Sequence, residues 1–119
     1  MGNREKVLKR LRKEIRSGIY SYAVLNILEN GEMHGYAIRK SFENLSSGEF
    51  VPSEGALYDL LKRLQKQGLV ESFWVEDTRP RKCYRLTELG KVVLKDLRRE
   101  ISILRNVIEK VEEVKEWKI

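Results

Sequence analysis

Residues 34–70 read HGYAIRKSFENLSSGEFVPSEGALYDLLKRLQKQGLV, and their reading decides the fold. Two helix-like stretches flank a turn. In the first, Ile38, Phe42 and Leu45 recur at helical spacing as an apolar seam that starts near Tyr36-Ala37 and ends at Ser46-Ser47-Gly48. In the second, Leu57, Leu60, Leu61 and Leu64 form one stripe, while Gly55, Tyr58, Asp59, Lys62 and Lys66 fall on the opposite side. Ser53 is placed to cap this second helix, because its hydroxyl can accept from an orphan amide of the first turn. The nose that follows, Glu54-Gly55-Ala56, lacks the bulky apolar residues a packed helix end would carry. A helical glycine costs about 1 kcal/mol relative to alanine, so a compensating close approach by another molecule is expected at Gly55. The competing reading is that Gly55 only relieves a clash with the preceding helix.

Working outward, Val7, Leu8, Leu11 and Ile15 predict an amphipathic helix over residues 1–16, ended near Ser17-Gly18. Seven Lys and Arg against Glu5 and Glu14 give this segment +5 of the chain's formal +6. Ile19, Tyr22, Ala23, Leu25, Ile27 and Leu28 are too apolar for a surface helix and predict a buried central one, closed by Asn30-Gly31. After Gly68 the period changes. Residues rich in β-branched and aromatic types flank the turn-like EDTRPR, which predicts a two-stranded hairpin over Val70–Val75 and Lys82–Leu86, with Trp74 packed in the core or wing. Thr87 is the expected cap of a last helix. Along it Leu94, Leu97, Ile101, Leu104, Ile108 and Val111 alternate at three and four residues, a heptad seam longer than one small core would bury.

The expected fold class is therefore mainly α with a small β-hairpin (α+β). It is a single structural domain divided into a basic helix (1–16), a winged helix-turn-helix (17–88) and a C-terminal dimerisation helix (89–119). In that architecture the third helix enters the DNA major groove and the hairpin wing reaches the adjacent backbone. Arg79, Arg81 and Lys82 around Pro80 make a compact phosphate clamp, opposed by Glu76 and Asp77. Lys62 and Lys66 are candidates for phosphates or bases, or plain solvated lysines.

Composition narrows the function classes. With 41% apolar and 35% charged residues the chain reads as folded, not disordered. No apolar run approaches the ~20 residues of a membrane span, and the start lacks the apolar core of a signal peptide, so a cytoplasmic location is expected. The single cysteine, Cys83, excludes an internal disulfide. One histidine, His34, and one cysteine on separate elements support neither nucleophilic catalysis nor a metal site, and Glu112-Glu113 reads as solvated charge. No enzyme, cofactor or metal is expected. The basic excess favours nucleic acid.

At this point the sequence resembles the PadR-type transcriptional regulators over about residues 22–94. The resemblance rests on ILENGEMHGYAI, SEGALYDLLKRLQKQGLVES and RKCYRLTELG in this order and spacing. It implies a cytoplasmic, dimeric winged-helix repressor of the short subgroup with one C-terminal helix, in which Leu94, Leu97, Ile101, Leu104, Ile108, Val111 and Trp117 form the dimer interface. It implies that Tyr36 and the nose from Ser53 to Tyr58 approach DNA. Tyr58 is the best single candidate, against the alternative of a structural, half-buried tyrosine. Some members stack a planar compound on a tryptophan in the middle of the last helix, which this chain lacks. A small hydrophobic effector is instead expected in a crevice lined by Leu8, Leu11, Ile15, Leu97 and Ile101. The competing function is a winged-helix protein-assembly module without DNA binding, which predicts a neutral or acidic wing. RNA binding would favour exposed aromatics on a sheet.

Overall fold

In a computed structural model that describes residues 2–76 and 78–114, the chain folds as four helices and a small antiparallel sheet. The order is α1 (Asn3–Glu29), β1 (Met33–His34), α2 (Gly35–Ser46), α3 (Glu54–Lys66), β2 (Val70–Val75), β3 (Arg81–Leu86) and α4 (Glu88–Glu113). The expected class is what the structure shows. The hairpin pairs Val70 with Leu86 through to Val75 with Arg81. The two-residue β1 adds a third strand on the far side of β3, with Met33 opposite Tyr84 and His34 opposite Cys83.

Four stripes meet in one core: Val24, Leu25, Ile27 and Leu28 of α1, Ile38 and Phe42 of α2, the four leucines of α3, and Val70, Tyr84, Leu86 and Leu94. Burying a side chain of this size contributes about 1.5–3 kcal/mol, so these residues fix how the helices pack. The Tyr20 ring, 4.5 Å from Phe50 and 5.8 Å from Phe42, holds the α2–α3 connection against α1. At the start of α4, Thr87 is the expected cap: its hydroxyl accepts from Gly90 N–H (3.0 Å) and donates to the Gly68 carbonyl (2.6 Å). Thr87 N–H donates to the Leu69 carbonyl at 3.1 Å. Gly90 lies so close to that carbonyl that a Cβ would overlap it, which explains the glycine in TELG. Arg98 then ties α4 to α1 by a fork, donating to Asn26 Oδ1 at 2.8 Å and Glu29 Oε1 at 2.5 Å.

Several expectations are corrected. α1 does not end near Ser17-Gly18 but runs unbroken for 27 residues. One glycine weakens a helix without stopping it. The stop comes at Asn30-Gly31, where Gly31 takes φ 140°. Leu45 is not part of the α2 seam; it is 79% exposed. The inward place in that turn belongs to Ser46, whose hydroxyl donates to the Phe42 carbonyl and accepts from Phe50 N–H. Trp74 is not in the core: it is 64% exposed on β2, a strand of the wing. Leu94, expected at a dimer interface, is 0% exposed inside the chain's own core and has no surface left to offer a partner.

Candidate nucleic-acid interface

The site is organised around the outward face of α3. Ser53 caps the helix, its hydroxyl accepting from Ala56 N–H at 3.2 Å. With Leu57, Leu60, Leu61 and Leu64 held in the core, the 3.6-residue period leaves Gly55, Tyr58, Asp59, Lys62 and Lys66 exposed. No atom comes within 4 Å of the place a Gly55 Cβ would occupy. The clash reading of Gly55 therefore fails: among the described residues nothing stands where its Cβ would be.

Tyr58 is half-buried, as the structural reading of it expects. It is 43% exposed, and its ring lies across the start of α2. A Cβ at Gly35 would stand only 2.7 Å from the Tyr58 hydroxyl and 2.8 Å from a ring carbon, so Gly35 makes room for the ring. Tyr58 lines a cavity of about 960 Å3 between the wing and α2. Tyr36 (69% exposed), Arg79, Arg81 and Lys82 line the same cavity, together with Lys40. Tyr84 lines it too; burial pushes its phenol pKa up, with Tyr58 nearby adding to the effect.

His34, for which the sequence offers neither a catalytic nor a metal-binding role, has a definite place in the fold. Its Nδ1 accepts from Ala37 N–H at 3.1 Å and caps α2. A ring nitrogen that accepts carries no proton, so the ring proton sits on Nε2. Arg81 Nη1 lies 3.2 Å from that Nε2. Two donors thus meet with no acceptor between them, an arrangement that an anionic oxygen would satisfy. Among the described residues Arg79, Lys82, Lys62 and Lys66 also have no carboxylate within 4 Å. The scaffold cations differ. Arg39 is held by Glu43 at 3.2 Å and the Pro52 carbonyl at 3.1 Å, and Arg85 by Glu71 at 2.7 Å while its guanidinium covers the Phe73 ring.

Of the residues expected at DNA, the wing cavity gathers Tyr36, Tyr58, Arg79, Arg81 and Lys82. Gly55, Lys62 and Lys66 lie on the outward face of α3 outside it. Ser53 lines a second cavity, of about 600 Å3, between α3 and α1. Of the expected interface residues, Leu97 and Ile101 are partly buried and Leu104, Ile108 and Val111 are exposed. Trp117, like Asp77 of the wing turn, lies outside the described residues. Leu8, Leu11 and Ile15 of the expected crevice are exposed on α1. Among the described residues, no group of three or more His, Cys, Asp or Glu could hold a metal ion, and no helix is long and apolar enough to cross a membrane.

Comparison with known proteins converges on one family. The model of the transcriptional regulator PadR-like family matches residues 24–96. A PadR family transcriptional regulator from Eggerthella lenta superimposes with a TM-score of 0.80 at 29% identity, over 93% of this chain and 96% of that one. Bacillus subtilis PadR, solved in complex with operator DNA, gives 0.61 at 28% identity over 66% of this chain and 46% of that chain. The transcriptional regulator YqjI of Escherichia coli (strain K12) is 34% identical over 86 residues, 72% of this chain and 41% of that protein. The chain thus spans less than half of the last two.

Proposed function

The chain belongs to the PadR-like family of transcriptional regulators, which are not enzymes, and on that premise we propose that it is a homodimeric repressor of a pseudo-palindromic DNA operator. One observation carries the reading: unpaired wing cations, the Arg81–His34 donor pair and the tyrosines Tyr36 and Tyr58 share one cavity beside the exposed, small-residue nose of α3. The assembly-module alternative predicts a neutral or acidic wing, whereas Arg79, Arg81 and Lys82 have no carboxylate within 4 Å among the described residues. In this reading α3 enters the major groove, and Gly55 lets its backbone approach the duplex. Arg79, Arg81 and Lys82 hold phosphates, while Tyr58, Lys62 and Lys66 face base edges or the near backbone.

The dimer reading rests on the outer half of α4. Leu104, Ile108 and Val111 are exposed there, flanked by Ile103, Val107 and Val114, so the apolar face is wider than a two-per-heptad seam. A partner's α4 and α1 together would cover it, with Leu97 and Ile101 at its inner margin. In the same reading a small hydrophobic effector, where one acts, would occupy the crevice between these stripes and Leu8, Leu11 and Ile15. Two-fold symmetry then sets half-sites about 34–36 Å apart, or a multiple of that.

The test begins with duplexes captured from genomic fragments by the purified protein. On the selected site, Arg81→Ala should weaken all sequences alike, whereas Lys62→Ala should relax preference at one position of each half-site. A wing variant that changes base preference while the helix variant does not reverses these roles. Absence of any DNA binding by the wild-type protein favours the assembly module. Changing Ile101 and Leu104 together to Glu should give a monomer by light scattering, with weakened DNA binding.

A further inference from the structure

A helix about 10–12 Å across nearly fills a major groove about 12 Å wide. Each flank of such a helix therefore faces one of the two sugar-phosphate backbones. On one flank of α3 stands the wing cavity, reached by Tyr58. The opposite flank, reached by Ala56 and Arg63, lies roughly 140–160° around the helix from Tyr58 at ~3.6 residues per turn. On that side a cavity of about 600 Å3 between α3 and α1 is lined by Lys9, Arg12, Lys13 and Arg16 of α1 and by Arg63 of α3. Lys9, Arg12, Lys13 and Arg16 follow the i, i+3, i+4, i+7 rule and so share one face of α1. The apolar residues Leu8, Leu11 and Ile15 lie on a different face. Asp59 is the acid that lines this cavity. None of the five cations has a carboxylate within 4 Å among the described residues; Arg16 instead covers the Phe50 ring at 5.4 Å.

We infer that the basic face of α1, with Arg63, is a second phosphate-binding flank that grips the DNA backbone on the side of α3 away from the wing. The inference rests on the DNA-binding reading above and deepens it. It gives a function to the charge of the first sixteen residues, which neither α3 nor the wing uses. The occupant is a duplex backbone because the lining repeats cations along one helical face beside the groove-entering helix. A line of phosphates, unlike a compact anion, matches that repeat. α1 thereby has two functional faces, cations toward DNA and apolar residues toward the partner protomer.

The decisive measurement is the salt dependence of binding to a fluorescein-labelled duplex of random sequence, since binding to phosphates does not depend on sequence. About 40 base pairs suffice: twice the 62 Å longest dimension of the chain is shorter than that duplex at ~3.4 Å per base pair. Arg12→Gln with Lys13→Gln removes two exposed charges from the cavity wall. Lys95→Gln with Arg99→Gln removes two exposed charges from α4, far in sequence from the flank, and controls for net charge. The expected result is that the α1 variant flattens the slope of log K against log salt by about 0.9 for each phosphate it no longer neutralises, while the α4 control leaves it near the wild-type value. Equal slopes for the α1 variant and wild type, with a wing variant still flattening the slope, overturn the second flank and leave the DNA reading standing. Equal flattening by the α1 and α4 pairs also overturns it, because the effect is then one of net charge. If the wild-type protein does not bind the duplex at low salt, both readings fall.

Discussion

Gly55→Ala should change folding stability and DNA affinity in opposite directions. The methyl group enters open space, with nothing within 4 Å of it among the described residues beyond its chain neighbours and its own helix. Alanine is favoured over glycine in a helix by up to about 1 kcal/mol, and the first turn gives somewhat less than the interior. For a domain of this size a gain of ~0.5–1 kcal/mol raises Tm by about 2–4 °C. The affinity effect has the other sign if the duplex packs against the bare backbone of the α3 nose. A methyl at van der Waals distance forces the helix outward and lengthens the neighbouring polar interactions, and a dimer carries the change twice. A loss of at least about tenfold in Kd, equivalent to ~1.4 kcal/mol, is expected. Thermal unfolding followed by circular dichroism and fluorescence anisotropy on the selected operator measure the two effects. A variant that is more stable and binds equally well refutes the close approach. A variant that is less stable refutes the claim that nothing in the fold needs this glycine.

Three further substitutions test other parts of the structure. His34→Asn keeps a good capping acceptor for α2 and removes the outward Nε2–H beside Arg81; stability by urea denaturation should be almost unchanged while operator affinity falls several-fold. Gly90→Ala drives a Cβ into the Leu69 carbonyl and should destabilise by about 3 kcal/mol or more, at the upper end of overpacking, read as a lower urea midpoint at constant slope. The hydrogen bond from Arg98, reinforced by its charge, holds the Glu29 carboxyl below its ordinary 4.5. Because the folded value is the lower one, the stabilisation is complete above the unfolded value and is lost as pH falls through the folded one. Glu29→Gln should therefore be less stable than wild type at pH 7, and the gap should narrow as pH falls below 4.5 in a urea titration; a constant difference through the acid range would argue against the Arg98 fork.

The fold was legible where local signals were strong and mutually consistent. The leucine stripe of α3, the Ser53 and Thr87 caps and the change of period at Val70 each name an element through a mechanism, and all three appear in the structure. The departures share one cause: a local signal does not carry its tertiary context. Gly18 looks like a stop, but a stop needs a left-handed turn of the kind Gly31 makes, and no side chain around Gly18 demands one. Leu94 fits the heptad, yet α4 passes over the core at that residue and leaves the seam for solvent only further along. Leu45 fits the wheel of α2, but the inward place in its turn is closed by the Ser46 hydroxyl.

The site was legible as charge and hidden as geometry. Arg79, Arg81 and Lys82 announce themselves by clustering around Pro80. Nothing in the sequence connects them to His34, because β1 is two residues long and two residues have no periodicity to detect. That short strand is what matters: by pairing His34 with Cys83 it brings the cap of α2 beside the wing cation Arg81. Gly35 was hidden for a related reason. Its lack of a side chain is explained by the Tyr58 ring, which belongs to another helix more than twenty residues away in sequence. The motif HGY therefore couples three tasks within three residues: His34 caps α2 and points a donor outward, Gly35 seats Tyr58, and Tyr36 is left exposed at the cavity rim. The sequence shows a glycine between two rings; the fold shows that the glycine makes room for the α3 tyrosine that lines the wing cavity.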